Sequence, residues 1–195
     1  MTLKVDDLRV YYNTLAGDVH ALDGVTFQIA DGEIMGLAGE SGCGKTTLGN
    51  SLIRLDGRMR HVDGTVELDG KQLPIADGEA MSEFRYHSIS VVPQYAMSAL
   101  NPTRKIGRMS RELIESRGIK YATVAEEYER RLRMVGLRDG VLDLYPMELS
   151  GGMTQRVVMV LSTLLDPSLL IADEITSALD VSTQKAVGEA LVGLR

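Results

Sequence analysis

The chain is poor in the residues that build covalent or metal-stapled frameworks: it has a single cysteine, Cys43, among 195 residues. One thiol cannot form an internal disulfide framework or a cysteine-built zinc site, and it fits a reducing compartment. An excess of positive charge is also absent. The formal net charge of −6 argues against a broad nucleic-acid-binding face, because phosphate backbones reward basic surfaces. No apolar run approaches the roughly 18 to 20 residues that span a bilayer, and Met1 to Asp7 does not read as a secretory signal. No internal repeat or low-complexity tract stands out. The expectation is a cytosolic protein that works at a membrane only through a partner. Hydrophobic residues at 44% and charged residues at 25% are ordinary for a folded protein with a substantial core, and the length suits one domain with an inserted subdomain.

What the chain does have is a complete phosphate-binding loop, Gly39-Glu40-Ser41-Gly42-Cys43-Gly44-Lys45-Thr46-Thr47. An apolar, strand-like run, Ile34 to Ala38, leads into it, and a helix-compatible run from Thr46 to Leu55 leaves it. Backbone N–H groups of such a turn converge on a nucleotide's β-phosphate, aided by the positive end of the following helix. Lys45 reaches the β- and γ-phosphates, and the Thr46 hydroxyl ligates Mg2+. A glycine cluster alone is usually a flexible turn; the spacing of Gly39, Gly44, Lys45 and Thr46 between strand and helix is what carries the reading.

Around this loop the pattern is α/β. Leu8, Val10 and Tyr12 alternate on one face, and Val25 to Ile29 repeats that period after an Asp23-Gly24 turn, which predicts antiparallel strands beside an α/β core. Asp31-Gly32 predicts a tight turn, and Gly64 to Leu68 with Asp69-Gly70 a second hairpin. Ser88 to Val92 reads as a buried strand cut off at Pro93. From about Ile106 to Gly136 the pattern is helical, and the charge run Glu126 to Arg131 reads as a solvated helix face. Val157 to Leu165 continues as an apolar helix that stops at Asp166-Pro167. Leu169 to Ala172 fits a parallel strand buried on both faces, and Val187, Ala190, Leu191 and Leu194 fall at helical spacing.

Two further segments carry chemistry. Asp173 and Glu174 end the last apolar strand, where Asp173 can hold the magnesium ion and Glu174 can orient or deprotonate an attacking water. An Asp-Glu pair could equally just end a strand. In Leu149-Ser150-Gly151-Gly152-Met153-Thr154-Gln155-Arg156, Ser150 is a candidate N-cap and Gly151-Gly152 leave backbone amides uncovered at a helix start, which makes an anion site.

The combination resembles the ATP-binding-cassette ATPases over essentially all 195 residues. The resemblance implies a P-loop NTPase (RecA-like) core with an N-terminal antiparallel β subdomain and an inserted α-helical subdomain: residues 1–94 and 159–195 as core with β subdomain, 95–158 as the helical signature subdomain. It also implies ATP and Mg2+ as ligands. Two cassettes pair head to tail, so Ser150, Gly151 and Gly152 would meet the γ-phosphate held by Ser41, Gly42, Cys43, Gly44, Lys45, Thr46 and Thr47 of the other copy. Gln94 matches the family's Q-loop glutamine, a magnesium ligand and γ-phosphate sensor, and Asp180 in Ser177-Ala178-Leu179-Asp180 matches the D-loop. Tyr12 matches the aromatic that stacks on adenine, with Tyr11 as the competing candidate and strand packing as the bland role of either.

The finer resemblance, through Gly39 to Lys45 and Gln94 to Pro102, is to the peptide and nickel importers. It implies a transport ATPase on the inner face of the cell membrane, partnered by permease subunits and, indirectly, a solute-binding protein, with no nucleic acid. The alternatives are a soluble cassette ATPase acting on nucleic acid or ribosomes, and a non-hydrolysing fragment. Two departures stand out. Ile175 replaces the usual proline after the catalytic glutamate, and the family's next core strand and switch histidine would come after Arg195, so C-terminal core strands are expected to be missing. His20, His61 and His87 all precede the signature and read as surface or turn residues.

Overall fold

The computed structural model describes residues 2–94, 99–173 and 175. Two compact units divide at residues 89 and 90.

The first unit is built on a twisted antiparallel sheet in the order β2-β1-β3-β4, formed by β1 (Leu3–Thr14), β2 (Gly17–Ile29), β3 (Met59–Leu68) and β4 (Lys71–Gln72). The central strand β1 buries Leu3, Val5, Leu8 and Val10, although Val5 and Leu8 are three residues apart and strict alternation would send them to opposite faces. A bulge at Asp6 and Asp7 absorbs the extra residue. Asp7 is left-handed there at φ 45, and its carbonyl oxygen lies where a Cβ on Gly64 would come within 2.4 Å. Only glycine fits at 64.

Asp23-Gly24 is not a turn. Strand β2 runs straight through it as a second bulge, with Leu8 opposite Val25 and Arg9 opposite Asp23. Gly24 takes φ 85, and Asp23 is held to β1 by Arg9 (3.4 Å) and the Tyr11 hydroxyl (2.9 Å), so the ladder continues. The hairpin turn lies earlier, where the Thr14 hydroxyl donates to the Gly17 carbonyl at 2.6 Å. Asp31-Gly32 and Asp69-Gly70 do form turns, each with a left-handed glycine.

The run Ile34 to Ala38 departs from expectation: it carries no strand, and Ile34, Met35 and Leu37 are 75%, 41% and 54% exposed. An apolar run becomes a strand only when a neighbour supplies ladder partners, and among the described residues none pairs with it. The helix after the loop, α1 (Lys45–Ser51), is shorter than the apolar pattern suggested. The Ser51 hydroxyl takes the Leu48 carbonyl (2.8 Å), and the Ile53 and Arg54 amides both turn to Asn50, which tightens and ends the helix.

In the second unit, β5 (Ile89–Val92) pairs with β6 (Leu169–Ala172). β5 is buried as expected, whereas β6 is only half-buried and its Ala172 exposed. The neighbours needed to cover β6 on both faces are not among the described residues. The helical segment forms α2 (Ile106–Glu115) and α3 (Tyr121–Met134), interrupted by the left-handed Gly118. Ile106, Ser110 and Ile114 recur every four residues and are fully buried. Ser110 and the buried Tyr128 share a hydrogen bond at 2.8 Å between their hydroxyls, and burial raises the Tyr128 hydroxyl's pKa.

The charge run is not wholly a solvated face, because Tyr128 and Arg131 within it are buried. Arg131 donates to Glu127 (2.6 Å), to Asp166 (2.7 Å) and to the Thr163 carbonyl (2.7 Å) at the end of α4 (Gly151–Thr163). Arg156 of α4 in turn donates to the Val135 carbonyl just after α3, at 2.9 Å. Two arginines therefore lash the C-terminal end of α3 to α4, one at the middle of α4 and one at its end.

Hydrogen bonds from Arg130 and Arg131 hold the Glu127 carboxyl down to about 2, from an ordinary 4.5. Because the folded value is depressed, this stabilisation is complete above pH 4.5 and is lost as pH falls toward 2. Glu127→Gln is expected to unfold with a flatter pH dependence across that window than the wild type, as read from circular dichroism melts. Equal slopes for the two would contradict the network.

Candidate functional site

The phosphate loop is shaped by backbone constraints before any ligand is considered. Ser41, Gly42 and Cys43 turn outward and are exposed, with Gly42 at φ 81, and Gly44 at φ 97 precedes the first turn of α1. Lys45 reaches back across the loop, its Nζ donating to the carbonyls of Gly39 (2.9 Å) and Glu40 (2.8 Å) and lying 3.7 Å from Cys43 Sγ. The ammonium thus closes the loop on itself, and the Cys43 amide turns inward to the Glu40 carbonyl at 3.3 Å. Thr46 is exposed and Thr47 buried.

The sheet dictates where the loop lies. A Cβ on Gly44 would sit 2.7 Å from the Ala21 carbonyl oxygen. That carbonyl stands at a register shift in β2, where Val10 pairs with Leu22 and Tyr11 already with His20. Ala21 is a neighbour of the phosphate loop that sequence reasoning missed, and no side-chain signal could have revealed it, because the atom that crowds position 44 belongs to the backbone.

The two candidate tyrosines part company at the same shift. Tyr11 stacks on His20 at 3.8 Å with the rings 5° from parallel, and its hydroxyl donates to Asp23. That hydrogen bond holds the Tyr11 hydroxyl above its ordinary pKa and the Asp23 carboxyl below its own. Tyr12 instead meets α1: its hydroxyl lies 3.3 Å from Thr47 Oγ1. Of the two rings, Tyr12 is the one beside the phosphate loop. His61 bonds the Gly64 carbonyl at 3.0 Å, and His87 is exposed.

In the second unit, Gln94 and Asp173 leave neighbouring strands at the same end. The Asp173 amide donates to the Val92 carbonyl at 3.2 Å, and Gln94 follows Val92 by two residues. Both are half-buried. Hydroxyl, amide and carboxylate oxygens such as those of Thr46, Gln94 and Asp173 are the donor type that magnesium takes. Glu174 and Asp180 lie outside the described residues, as does the helical spacing from Val187 to Leu194.

The signature segment opens α4. Ser150 is its N-cap, with an extended backbone at φ −69 and ψ 160 and a hydroxyl that accepts the Met153 amide at 3.3 Å. Its carbonyl accepts both the Thr154 amide (2.9 Å) and the Thr154 hydroxyl (3.0 Å). Ser150 and Gly151 are exposed, and a Cβ on Gly151 would meet nothing within 4 Å, so the start of the helix is uncrowded on that side. Leu149 is buried and roots the segment.

A phosphate loop on a helix start, with an acidic strand end, defines the phosphate-loop class of nucleotide-binding folds. The family described as "ABC transporter" matches residues 22–177, and the chain belongs to it. It is 38% identical over 197 residues to the dipeptide transport ATP-binding protein DppD of Caldanaerobacter subterraneus, covering 99% of this chain and 60% of that protein. It is 36% identical to the oligopeptide transport ATP-binding protein OppD of Salmonella typhimurium, covering 95% of this chain and 56% of that protein. The chain therefore spans under two thirds of the length of these relatives. Among solved structures, the ATP-binding cassette MJ0796, a dimer in a post-hydrolysis state bound to ADP and Pi, superposes with a TM-score of 0.83 at 25% identity, over 98% of this chain and 82% of that one. The fold is that of a cassette with an antiparallel β subdomain. No described helix is long and apolar enough to cross a membrane.

Both Gly42 and Gly44 are left-handed, but a Cβ on Gly42 meets nothing within 4 Å. Gly42→Ala is expected to cost about 1–2 kcal/mol from the left-handed backbone alone. Gly44→Ala should cost more, because the Ala21 carbonyl must also move. Denaturant unfolding of the two variants ranks them, and an equal or reversed order would contradict the packing.

Proposed function

We propose that the chain is the ATP-binding and ATP-hydrolysing cassette of an importer, and that it energises uptake of peptides or a related small solute through permease subunits. The observation that carries this is the phosphate loop, closed by Lys45 and fixed by Gly44 against Ala21, in a chain related along nearly its whole length to proteins named for dipeptide and oligopeptide transport. On this reading residues 1–94 and 159–195 are the nucleotide core with its β subdomain, and 95–158 the helical signature subdomain.

In the proposed cycle the amides of Ser41, Gly42, Cys43 and Gly44 take the β-phosphate of ATP, and Lys45 exchanges loop carbonyls for the β- and γ-phosphates. Thr46, Gln94 and Asp173 would hold magnesium, which supplies charge neutralisation at the phosphates when bound. Tyr12 stacks on the adenine, and Thr47 belongs to the nucleotide-binding loop beside it. Glu174 orients and deprotonates the attacking water, and its proton acceptance is the general-base step. The Ser150 hydroxyl and the amides of Gly151 and Gly152 meet the γ-phosphate of a second cassette, so two chains close only around ATP, and Asp180 links the two sites. Closure moves the helical subdomain and, through it, permease subunits served by a solute-binding protein. The cassette then works on the cytoplasmic face of the membrane without itself entering it.

Two substitutions separate binding from chemistry. Lys45→Ala is expected to lose ATP binding by at least about tenfold, since a charge-assisted contact to phosphate is worth roughly 1.5–3 kcal/mol. Glu174→Gln is expected to keep ATP affinity, lose turnover and accumulate a dimer with ATP, as read by equilibrium binding, phosphate release and light scattering. Normal turnover in Glu174→Gln would remove that residue from the mechanism.

A further inference from the structure

Thr47 breaks a habit that the other buried helical threonines keep. Thr154 donates its hydroxyl to the Ser150 carbonyl at 3.0 Å and Thr163 to the Met159 carbonyl at 3.0 Å, each within its own helix. Thr47 is equally buried, at 8% exposure, so its hydroxyl also needs a partner. Its partner comes from 35 residues away: the Tyr12 hydroxyl at 3.3 Å. Thr47 is the third residue of α1, where the residue four back, Cys43, still precedes the helix, and its hydroxyl meets the sheet instead.

Tyr12 is held for it by the sheet. The register shift after Val10 sends Tyr11 into the Asp23 and His20 cluster and leaves Tyr12 over α1. A half-buried tyrosine tethered only at its Cα samples several ring orientations, and fixing one of them on binding costs affinity. A hydroxyl anchor at the far end of the ring removes that freedom before the ligand arrives.

We propose that Thr47 is a positioning residue for the adenine base: its hydroxyl anchors the Tyr12 hydroxyl and so presets the plane of the ring on which the base stacks. The proposal rests on the reading of Tyr12 as the base-stacking residue and adds what makes that ring selective. The phosphate loop grips any triphosphate, whereas the anchored ring rewards one that carries a purine. Phenylalanine at position 12 would retain the π-face and lose the anchor.

The test is a double-mutant cycle on the full chain, with binding of ATP and of inorganic tripolyphosphate measured by equilibrium dialysis in the presence of magnesium. Tyr12→Phe is expected to weaken ATP about three- to tenfold, the range of one hydrogen bond, and to weaken tripolyphosphate less. In a Thr47→Val background the same change is expected to add nothing, whereas in a Thr47→Ser background, which retains the hydroxyl, its effect returns. Additive losses in the Thr47→Val background overturn the anchor. Wild-type ATP affinity in Tyr12→Phe, with Tyr12→Ala weak, overturns the anchor and leaves base stacking standing. Wild-type affinity in both variants overturns base stacking together with the anchor.

Discussion

The carbonyl of Ala21 occupies the space that a side chain at position 44 would need, and the candidate nucleotide site follows from that one contact. A left-handed glycine at the base of the phosphate loop is free to adopt many conformations in an unfolded chain. Beside Ala21 it leaves no room for a side chain. The contact exists because β2 shifts register at Ala21 while still paired to β1, so the antiparallel sheet, remote from the loop in sequence, sets the direction in which α1 leaves it. Lys45 then spans the mouth of the loop through carbonyls whose positions are already set. The same shift separates Tyr11 from Tyr12 and gives the loop its aromatic neighbour. One irregularity in one strand thus lies beside both Gly44 and Tyr12.

The second unit solves a different problem, which is to hold a helix whose two ends both matter. α4 starts after its cap Ser150 and ends near Asp166, three residues before the strand that delivers Asp173. Arg156 holds it at its middle through the Val135 carbonyl, and Arg131 at its end through the Thr163 carbonyl, which the Asp166 amide also reaches. Arg131 can be buried because Glu127 and Asp166 both receive it. The γ-phosphate contact proposed for Ser150 and the metal ligand proposed for Asp173 thus lie on consecutive elements, α4 and β6.

Much of this was legible in the sequence where the deciding physics is local. The loop's glycine spacing, the Ser150 cap, the stop at Asp166 and the strand before Pro93 each follow from the conformational limits of the residues themselves. The errors share a different origin. Asp23-Gly24 reads as a turn because a left-handed glycine serves a turn and a bulge equally, and only the hold of Arg9 and Tyr11 on Asp23 decides between them. Ile34 to Ala38 has the composition of a strand, but strand structure belongs to a pair. Arg131 looked solvated because its partners Thr163 and Asp166 lie more than 30 residues on. For the site, Tyr12 could be preferred over Tyr11 by parity with Val10, yet the tie to Thr47 and the pressure from Ala21 are tertiary and left no trace in composition or spacing.

The account stands on ATP entering the loop that Gly44 and Lys45 shape. Amide NMR of the isotopically labelled chain, titrated with ATP and magnesium, tests this residue by residue. The account predicts saturable shifts concentrated in the amides of Gly39 to Thr47 and of Tyr12, with the Gly44 amide among the largest. Saturable shifts that leave this loop untouched, or no shifts at millimolar ATP, would contradict it.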